Sequence, residues 1–430
     1  MQIYRYPSRE NWNQLTLRAT ADYSEKFPVV EEVMQNIRLR GDAAIREYTA
    51  RFDRASLEEL LVSEAELQQA ERELDPKLAQ AIRTAAANIR TFHEAQITHT
   101  KNIETFPGVN CWQKSLPIEK VGLYIPGGSA PLFSTVLMLA LPALIAGCKE
   151  VILCSPPDPA GNIHPAILFA SRLCNVTSIF KIGGIQAIGA MAYGTESVPK
   201  VYKIFGPGNS WVTAAKQYVS LNTCSIDMPA GPSELAVVAD LSANPAFVAS
   251  DLLSQAEHGP DSQVLLITTE LSVAEKVAAE LTLQLEQLPR KEIAAAALSH
   301  SRTVVLASME EVLDFVNSYA PEHLILQSDD ASALAAKVTN AGSVFIGHYT
   351  PESAGDYASG TNHTLPTNGW ARSVSGLNLD SFCKKITYQE ISKEGLQLLG
   401  PVIETMAEAE LLQAHKNAVT LRLRQKDQPE

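Results

Sequence analysis

Gln255-Ala256-Glu257-His258-Gly259-Pro260-Asp261 sets two ligand-capable side chains three residues apart. On a helix, such positions share a face. The apolar residues between Phe247 and Leu253 recur at helical spacing, and Gly259-Pro260 is a helix stop. A neutral imidazole beside an oxygen donor supplies half of a zinc site. The competing reading is a surface helix end with a histidine near the negative end of the dipole.

Pro321-Glu322-His323-Leu324 begins a buried strand. Successive side chains of an extended chain point to opposite faces, yet at a strand's end both can reach one cleft. A histidine and a carboxylate there are two proton carriers; a polar pair that merely leads into a strand is the alternative. Residues 355–367, GDYASGTNHTLPT, are too polar for a strand and too aperiodic for a helix, which makes them a candidate functional loop. Asp356 would complete a hard-donor set with Gln255 and His258, with a fourth ligand still to find. His415 stands on a C-terminal helix, where a solvent-facing histidine is the default.

These groups need a scaffold, and the middle of the chain supplies one. Strands near 121–125, 150–154, 178–182 and 200–205 alternate with helices near 132–146, 166–173 and from about 186. A second set has strands near 264–268, 303–306, 323–326 and 343–346, with helices near 274–288, 309–316 and 331–338. Strand, glycine turn and helix in repetition mean a parallel sheet with right-handed crossovers. Two such sets of similar size suggest a duplication. The glycine turns Gly127-Gly128, Gly183-Gly184 and Gly206-Pro207-Gly208-Asn209 follow strand ends, where α/β sheets bind ligands. None matches G-x-G-x-x-G, so a phosphate-bearing ligand competes with ordinary tight βα turns.

The first hundred residues read as helical: 27–52 with a break at Gly41, a start at Ser63 with Glu66 three residues on, and another at Asp75-Pro76. Beyond about residue 380 the pattern turns helical again, with one long amphipathic helix over 404–424. The fold expected is α/β: two incomplete Rossmann-like doubly wound domains with helical N- and C-terminal arms. Arms too thin to fold alone suggest packing on a partner subunit.

The chain has 430 residues, 46% hydrophobic and 19% charged, with net charge −13. This balance is globular, and it lacks the basic face a nucleic-acid partner requires. Six cysteines are scattered without a C-x-x-C pair, which excludes a thiolate zinc finger. The N-terminus lacks the apolar core of a signal peptide, and the longest apolar run, 136–146, is too short to span a bilayer. The expectation is a cytoplasmic protein without membrane or nucleic-acid partners.

Taken together, six stretches resemble histidinol dehydrogenase. They are GLYIPGGSA (122–130), GPGN (206–209), MPAGPSE (228–234), QAEHG (255–259), APEHL (320–324) and GDYASGTNHTLPT (355–367). The resemblance covers nearly the whole chain in order. It implies a zinc-dependent, NAD-using oxidoreductase that acts on an alcohol and then an aldehyde. The reaction implied is the four-electron oxidation of L-histidinol to L-histidine through L-histidinaldehyde, with two NAD+, the last step of histidine biosynthesis. It implies Gln255, His258, Asp356 and His415 as ligands of one zinc per subunit, and Glu322 and His323 as the proton-transfer pair. Ser233, His363 and Glu410 match substrate contacts, joined by Gln255, His258, His323, Asp356 and His415 around the same substrate. Tyr124, Gln186 and Asn209 match dinucleotide contacts. The family is a homodimer whose C-terminal tail reaches its partner's site, so Glu410 and His415 would serve the other subunit. The corresponding boundaries are an arm at 1–22, a larger α/β domain over 23–122 and 236–379 carrying metal and catalytic residues, a Rossmann-like dinucleotide domain over 123–235, and a helical dimerisation tail over 380–430.

Three rivals remain on residues alone. One is a thiol mechanism on Cys111 or Cys148. Another is a zinc hydrolase using Glu322 or Glu257 as base. The third is a binding protein that kept the fold.

Overall fold

The computed structural model describes residues 1–18, 23–127, 131–228 and 231–424. Gly128, Ser129 and Ala130 of the first glycine turn, and Pro229 and Ala230 of the 228–234 stretch, lie outside the described residues. The chain divides into two compact units, Met1–Gln96 with Ile118–Phe382, and Ile97–Pro117 with Cys383–Glu430.

In the first unit the apolar runs become strands buried on both faces. Val121, Leu123 and Ile125 feed one core, while Tyr124, Ile152 and Cys154 feed another. Likewise Leu235 and Val237 alternate with Ala236 and Val238 between two further cores. A strand serving two cores needs helices on both sides, the arrangement of parallel sheets. One sheet has five strands in the spatial order Ser178–Lys181, Glu150–Ser155, Lys120–Tyr124, Lys203–Phe205 and Ser225–Ile226, all parallel. By position in the chain this order is third, second, first, fourth, fifth.

The other sheet has six parallel strands. Its order is Gln2–Arg5, Arg302–Val305, Gln263–Thr268, Glu234–Ala239, His323–Gln327 and Ser343–Ile346. Leaving aside Gln2–Arg5, the order is again third, second, first, fourth, fifth. Two halves with one winding agree with a duplication and with Rossmann-like topology.

Three sequence expectations change here. Residues 2–5, assigned to a polar arm, form an edge strand of the six-stranded sheet. They are too short and too exposed to carry a periodic signal. Glu234–Ala239, absent from the expected strands, lies in the interior of that sheet. The helices between residues 27 and 94 were grouped with the larger α/β domain, yet they cover both faces of the five-stranded sheet. Val30, Val33, Met34 and Ile37 pack in one of its cores, and Ile82, Ala86 and Ile89 in the other. Periodicity tells which face of a helix is apolar, not which sheet it meets.

Helix starts follow local chemistry. Ser63 and Glu66 form a capping box, and Asp75 caps the Pro76–Glu94 helix, with Pro76 as its first residue.

The second unit is not purely helical, as the tail was expected to be. Cys383–Ile391, Val109–Pro117 and Asn102–Phe106 form an antiparallel three-stranded sheet. Most of Cys383–Ile391 is exposed, so its alternation lacks the hydrophobic contrast that marks a buried strand. The expected helix over 404–424 is instead two, Lys393–Ala409 and Gln413–Arg424. Leu411 takes φ 60° at the break. The reversal brings Leu423 and Val419 onto Gly400, where a Cβ would lie 2.8 Å from Leu423 Cδ1.

Candidate active site and metal centre

The amino edge of the six-stranded sheet gathers the titratable groups. Glu234 and His323 are the first residues of neighbouring strands, and His323 pairs with Leu235 in register. Glu322 and His323 are both buried. The Glu234 N–H donates to Glu322 Oε2 at 2.8 Å. His323 Nδ1 lies 3.2 Å from the Glu234 carbonyl oxygen. A carbonyl only accepts, so this contact puts the proton on Nδ1. His323 Nε2 is buried and without a hydrogen-bond partner, 3.6 Å from Asp356 Oδ1.

Three carboxylates ring this imidazole. Glu322 Oε2 and Glu352 Oε1 each lie 3.7 Å from His323 Nδ1, and Asp356 is on the Nε2 side. Burial pushes Glu322 up to about 8 and raises Glu352 as well. Burial pushes His323 down, but Glu352, Glu322 and Asp356 outweigh it and lift the imidazole to about 10. Burial would raise Asp356 too, yet its close approach to the His323 imidazole holds it below the usual carboxylate range. The three carboxylates thus favour the protonated imidazole over the neutral one.

The metal candidates converge beside it. The helix Pro245–Ala256 presents Gln255, which is fully buried. It ends earlier than the Gly259-Pro260 stop: Glu257 is its cap, and His258 follows in a turn whose N–H donates to the Gln255 carbonyl at 3.2 Å. Asp356 lies on a short helix, Glu352–Tyr357, and not in a loop. Nearby helical turns and glycines mask that helix in the sequence. His258 Nε2 is 3.9 Å from Asp356 Oδ2. One ligand atom from each of His258, Glu352 and Asp356 lies within 4.8 Å of the others. The Gln255 amide faces Glu352, and with its NH2 turned to that side it donates to Oε1 and, at 3.2 Å, to Oε2. One imidazole nitrogen with carboxylate and amide oxygens is a donor set that suits zinc.

Glu352 was missed by sequence reasoning. It is 1% exposed and touches both His323 and Gln255. Glu352 and Asp356 are four apart on one helix, a spacing that would have flagged them as a pair. Among the substrate candidates, half-buried Ser233 immediately precedes Glu234, and its carbonyl accepts from Gln263 N–H at 3.0 Å. His363 Nδ1 lies 2.9 Å from the Asp356 carbonyl, so Nδ1 carries the proton and Nε2 accepts from Thr135 Oγ1 at 3.2 Å. Burial lowers the His363 pKa, which keeps this tautomer neutral. Glu410 and His415 belong to the second unit, Glu410 capping Lys393–Ala409 and His415 exposed on Gln413–Arg424. The structure brings together Ser233, Gln255, His258, Glu322, His323, Asp356 and His363; it does not add Glu410 and His415 within the first unit.

The three dinucleotide candidates line one cavity of about 920 Å³ at the carboxyl edge of the five-stranded sheet. Tyr124 ends the strand Lys120–Tyr124, and its hydroxyl accepts from Gly184 N–H at 3.1 Å. Gln186 Nε2 donates to Asp53 Oδ2 at 3.0 Å, while its buried Oε1 has no hydrogen-bond partner. Asn209 Oδ1 caps the next helix by accepting from Trp211 and Val212 N–H at 3.0 and 3.1 Å, which leaves its NH2 as a donor. The turn under Asn209 is fixed by buried charge. Lys216 Nζ lies 2.5 Å from Asp227 Oδ1 and donates to the Gly206 carbonyl at 2.8 Å, and Gly206 N–H donates to Asp227 Oδ2 at 2.8 Å. Gly206 sits at φ 124°, where a Cβ would collide with the Tyr124 carbonyl.

At Cys148 the thiol rival loses its footing. Cys148 is buried with its sulfur toward the Phe382 carbonyl at 3.8 Å. It lies beyond the far end of the Phe133–Ala146 helix from Thr135, on the order of 15–20 Å away at helical rise. Cys111 sits in the second unit's sheet.

A family model described as histidinol dehydrogenase matches residues 16–423. The histidinol dehydrogenase of Bacteroides thetaiotaomicron is 59% identical over 423 residues, 98% of this chain and 99% of that protein. The Escherichia coli K12 protein of the same name is 54% identical over 417 residues, 96% and 95% of the two chains. The crystal structure of histidinol dehydrogenase from Elizabethkingia anophelis superposes with a TM-score of 0.97 at 54% identity, covering 99% of this chain and 98% of that one.

Proposed function

The chain belongs to the histidinol dehydrogenase family, and from that premise we propose that it oxidises L-histidinol to L-histidine through L-histidinaldehyde, with two NAD+ and one zinc per subunit. This would be the last step of histidine biosynthesis. The observation that carries the reading is the buried Nε2 of His323, without a hydrogen bond among the described residues and set among three carboxylates beside a metal-capable cluster.

Neutral His323, its Nδ1–H on the Glu234 carbonyl, offers the Nε2 lone pair to the substrate hydroxyl. It takes that proton as hydride leaves carbon for nicotinamide. The surrounding carboxylates stabilise the imidazolium formed. Glu322, with Oε2 held by the Glu234 N–H, has its other oxygen for a water. In its ionised form, favoured by the imidazolium beside it, Glu322 accepts a proton from that water as it adds to the aldehyde. His323 gives its proton to the aldehyde oxygen as water adds, and, neutral again, removes a hydroxyl proton of the hydrate as the second hydride departs.

Gln255, His258 and Asp356, with His415 of the partner subunit in a homodimer, would hold zinc. Bound there, zinc would orient the substrate's nitrogen donors and offset the carboxylate charge that holds His323 protonated. Ser233 and His363, with Glu410 of the partner subunit, would line the substrate, the carboxylate suiting a cationic amine. Tyr124, Gln186 and Asn209 would contact the dinucleotide, for which the Gln186 Oε1 and the Asn209 NH2 are free groups of complementary kind. No helix among the described residues is long and apolar enough to cross a membrane, and a cytoplasmic enzyme goes with this reading.

Incubation of the zinc-loaded protein with histidinol and excess NAD+ tests it. Two reduced nicotinamides should form per histidinol consumed. No reduced nicotinamide would overturn the reading, and a single equivalent would end the reaction at the aldehyde.

A further inference from the structure

Both proton carriers lean on the backbone of one residue, Glu234. The N–H of Glu234 holds Glu322 Oε2 at 2.8 Å, and its carbonyl holds His323 Nδ1 at 3.2 Å. A shift of that residue's backbone would move both groups together. Besides the strands paired on either side, the residue is held by its own side chain. The Glu234 carboxylate is 3% exposed and takes a two-pronged grip from Arg18: Nε to Oε1 at 2.6 Å and Nη2 to Oε2 at 2.8 Å. Oε1 also accepts from Asn368 N–H at 2.6 Å. This parallel arrangement is the most directional ion pair the side chains can make.

Arg18 is itself anchored. Its Nη2 donates to the Tyr319 carbonyl at 2.8 Å, and its guanidinium lies 3.9 Å from the centroid of the Tyr319 ring. The backbone leading to it is tied to the sheet as well. Arg302 Nη1 donates to the Leu15 and Leu17 carbonyls at 2.7 and 2.9 Å, and Gln263 Nε2 to that of Leu17 at 3.3 Å. Among the described residues, the hydrogen-bond partners of the Glu234 carboxylate are Arg18 and Asn368, neither of them a metal candidate.

We propose that Glu234, clamped by Arg18, is a positioning residue that sets Glu322 and His323 in register for both oxidation steps. The inference rests on the histidinol dehydrogenase reading. It assigns a catalytic consequence to a residue of the N-terminal segment, far from the proton carriers in sequence.

The test is steady-state turnover of histidinol and NAD+ by zinc-loaded Glu234→Gln, Arg18→Met and Arg18→Lys, with unfolding and metal content measured on each. Glu234→Gln and Arg18→Met should lose tenfold or more in kcat, while KM for histidinol and NAD+ and zinc stoichiometry stay within threefold. Arg18→Lys, which keeps the charge and one contact, should recover at least a third of wild-type kcat. If a single variant does not fold, the neutral pair Arg18→Met with Glu234→Gln removes the buried charge and should fold with the same low kcat. A folded Glu234→Gln or double variant with kcat within twofold of wild type overturns the proposal. So does a change confined to KM. Wild-type protein that forms no reduced nicotinamide overturns the underlying reading instead, and this inference with it.

Discussion

Replacing Asp53 by asparagine should remove a pH dependence from folding stability and leave the dinucleotide cavity intact. Burial pushes the Asp53 carboxyl up from 3.8 to about 6, against the pull of hydrogen bonds from Gly183 and Gln186. A shift of about two pKa units corresponds to about 3 kcal/mol. Asp53 is only half-buried, and solvent screening reduces that to about 1–2 kcal/mol. The folded state binds the proton more tightly than the unfolded chain. The resulting stabilisation is complete below pH 3.8 and is lost as pH rises through about 6. Asparagine does not ionise, so the variant should gain on the wild type by about 1–2 kcal/mol between pH 4 and pH 7. Equilibrium urea unfolding of both proteins at pH 4, 5, 6 and 7 reads the difference directly. The asparagine oxygen still accepts from Gln186 Nε2, so KM for NAD+ should stay within about threefold. A stability difference that is constant across this range, or that favours the wild type increasingly at pH 7, would refute the reasoning.

Lys216→Met should leave Asp227 buried and unpaired, lowering stability by about 3–5 kcal/mol in urea unfolding. Adding Asp227→Leu should restore most of it, and a single variant as stable as wild type would remove the clamp from the account of the Gly206 turn. Chelation should abolish turnover and zinc or manganese restore it, with His258→Ala failing to bind the metal in a direct stoichiometry assay. Full activity in verified metal-free protein counts against the metal. Mixed subunits of inactive His258→Ala and His415→Ala should regain part of the activity if each site draws on two chains. Confirmed heterodimers that stay inactive would put both histidines in one subunit's site. Cys148→Ala should keep wild-type turnover, since the thiol is packed against the Phe382 carbonyl; a loss of more than tenfold in folded protein would revive the thiol route.

The α/β character could be read from the chain because glycine turns and apolar runs are local signals. Gln255, His258, Glu322 and His323 were legible for a similar reason: each pair is close in sequence, and spacing alone brings it to one place. Glu352 was not, because a glutamate after proline looks like any first-turn acid until tertiary packing buries it. Arg18 and Glu234 were illegible for a deeper reason. Their pairing spans more than two hundred residues, and neither side chain stands in a periodic pattern. The strand Gln2–Arg5 escaped because an edge strand needs little hydrophobicity; its partner supplies the hydrogen bonds.

The two sheets share one winding but carry their candidate sites at opposite ends of their strands. Tyr124 and Asn209 follow strand ends, whereas Glu234 and His323 begin strands. A rotation that overlays one half on the other would lay the cavity of the first over an edge of the second that holds none of the proton carriers. The pseudo-symmetry is thus one of scaffold and not of chemistry. Position in one half predicts shape in the other, and nothing about its reactivity. If the halves descend from one ancestor, at least one of them has changed the face on which it does its work.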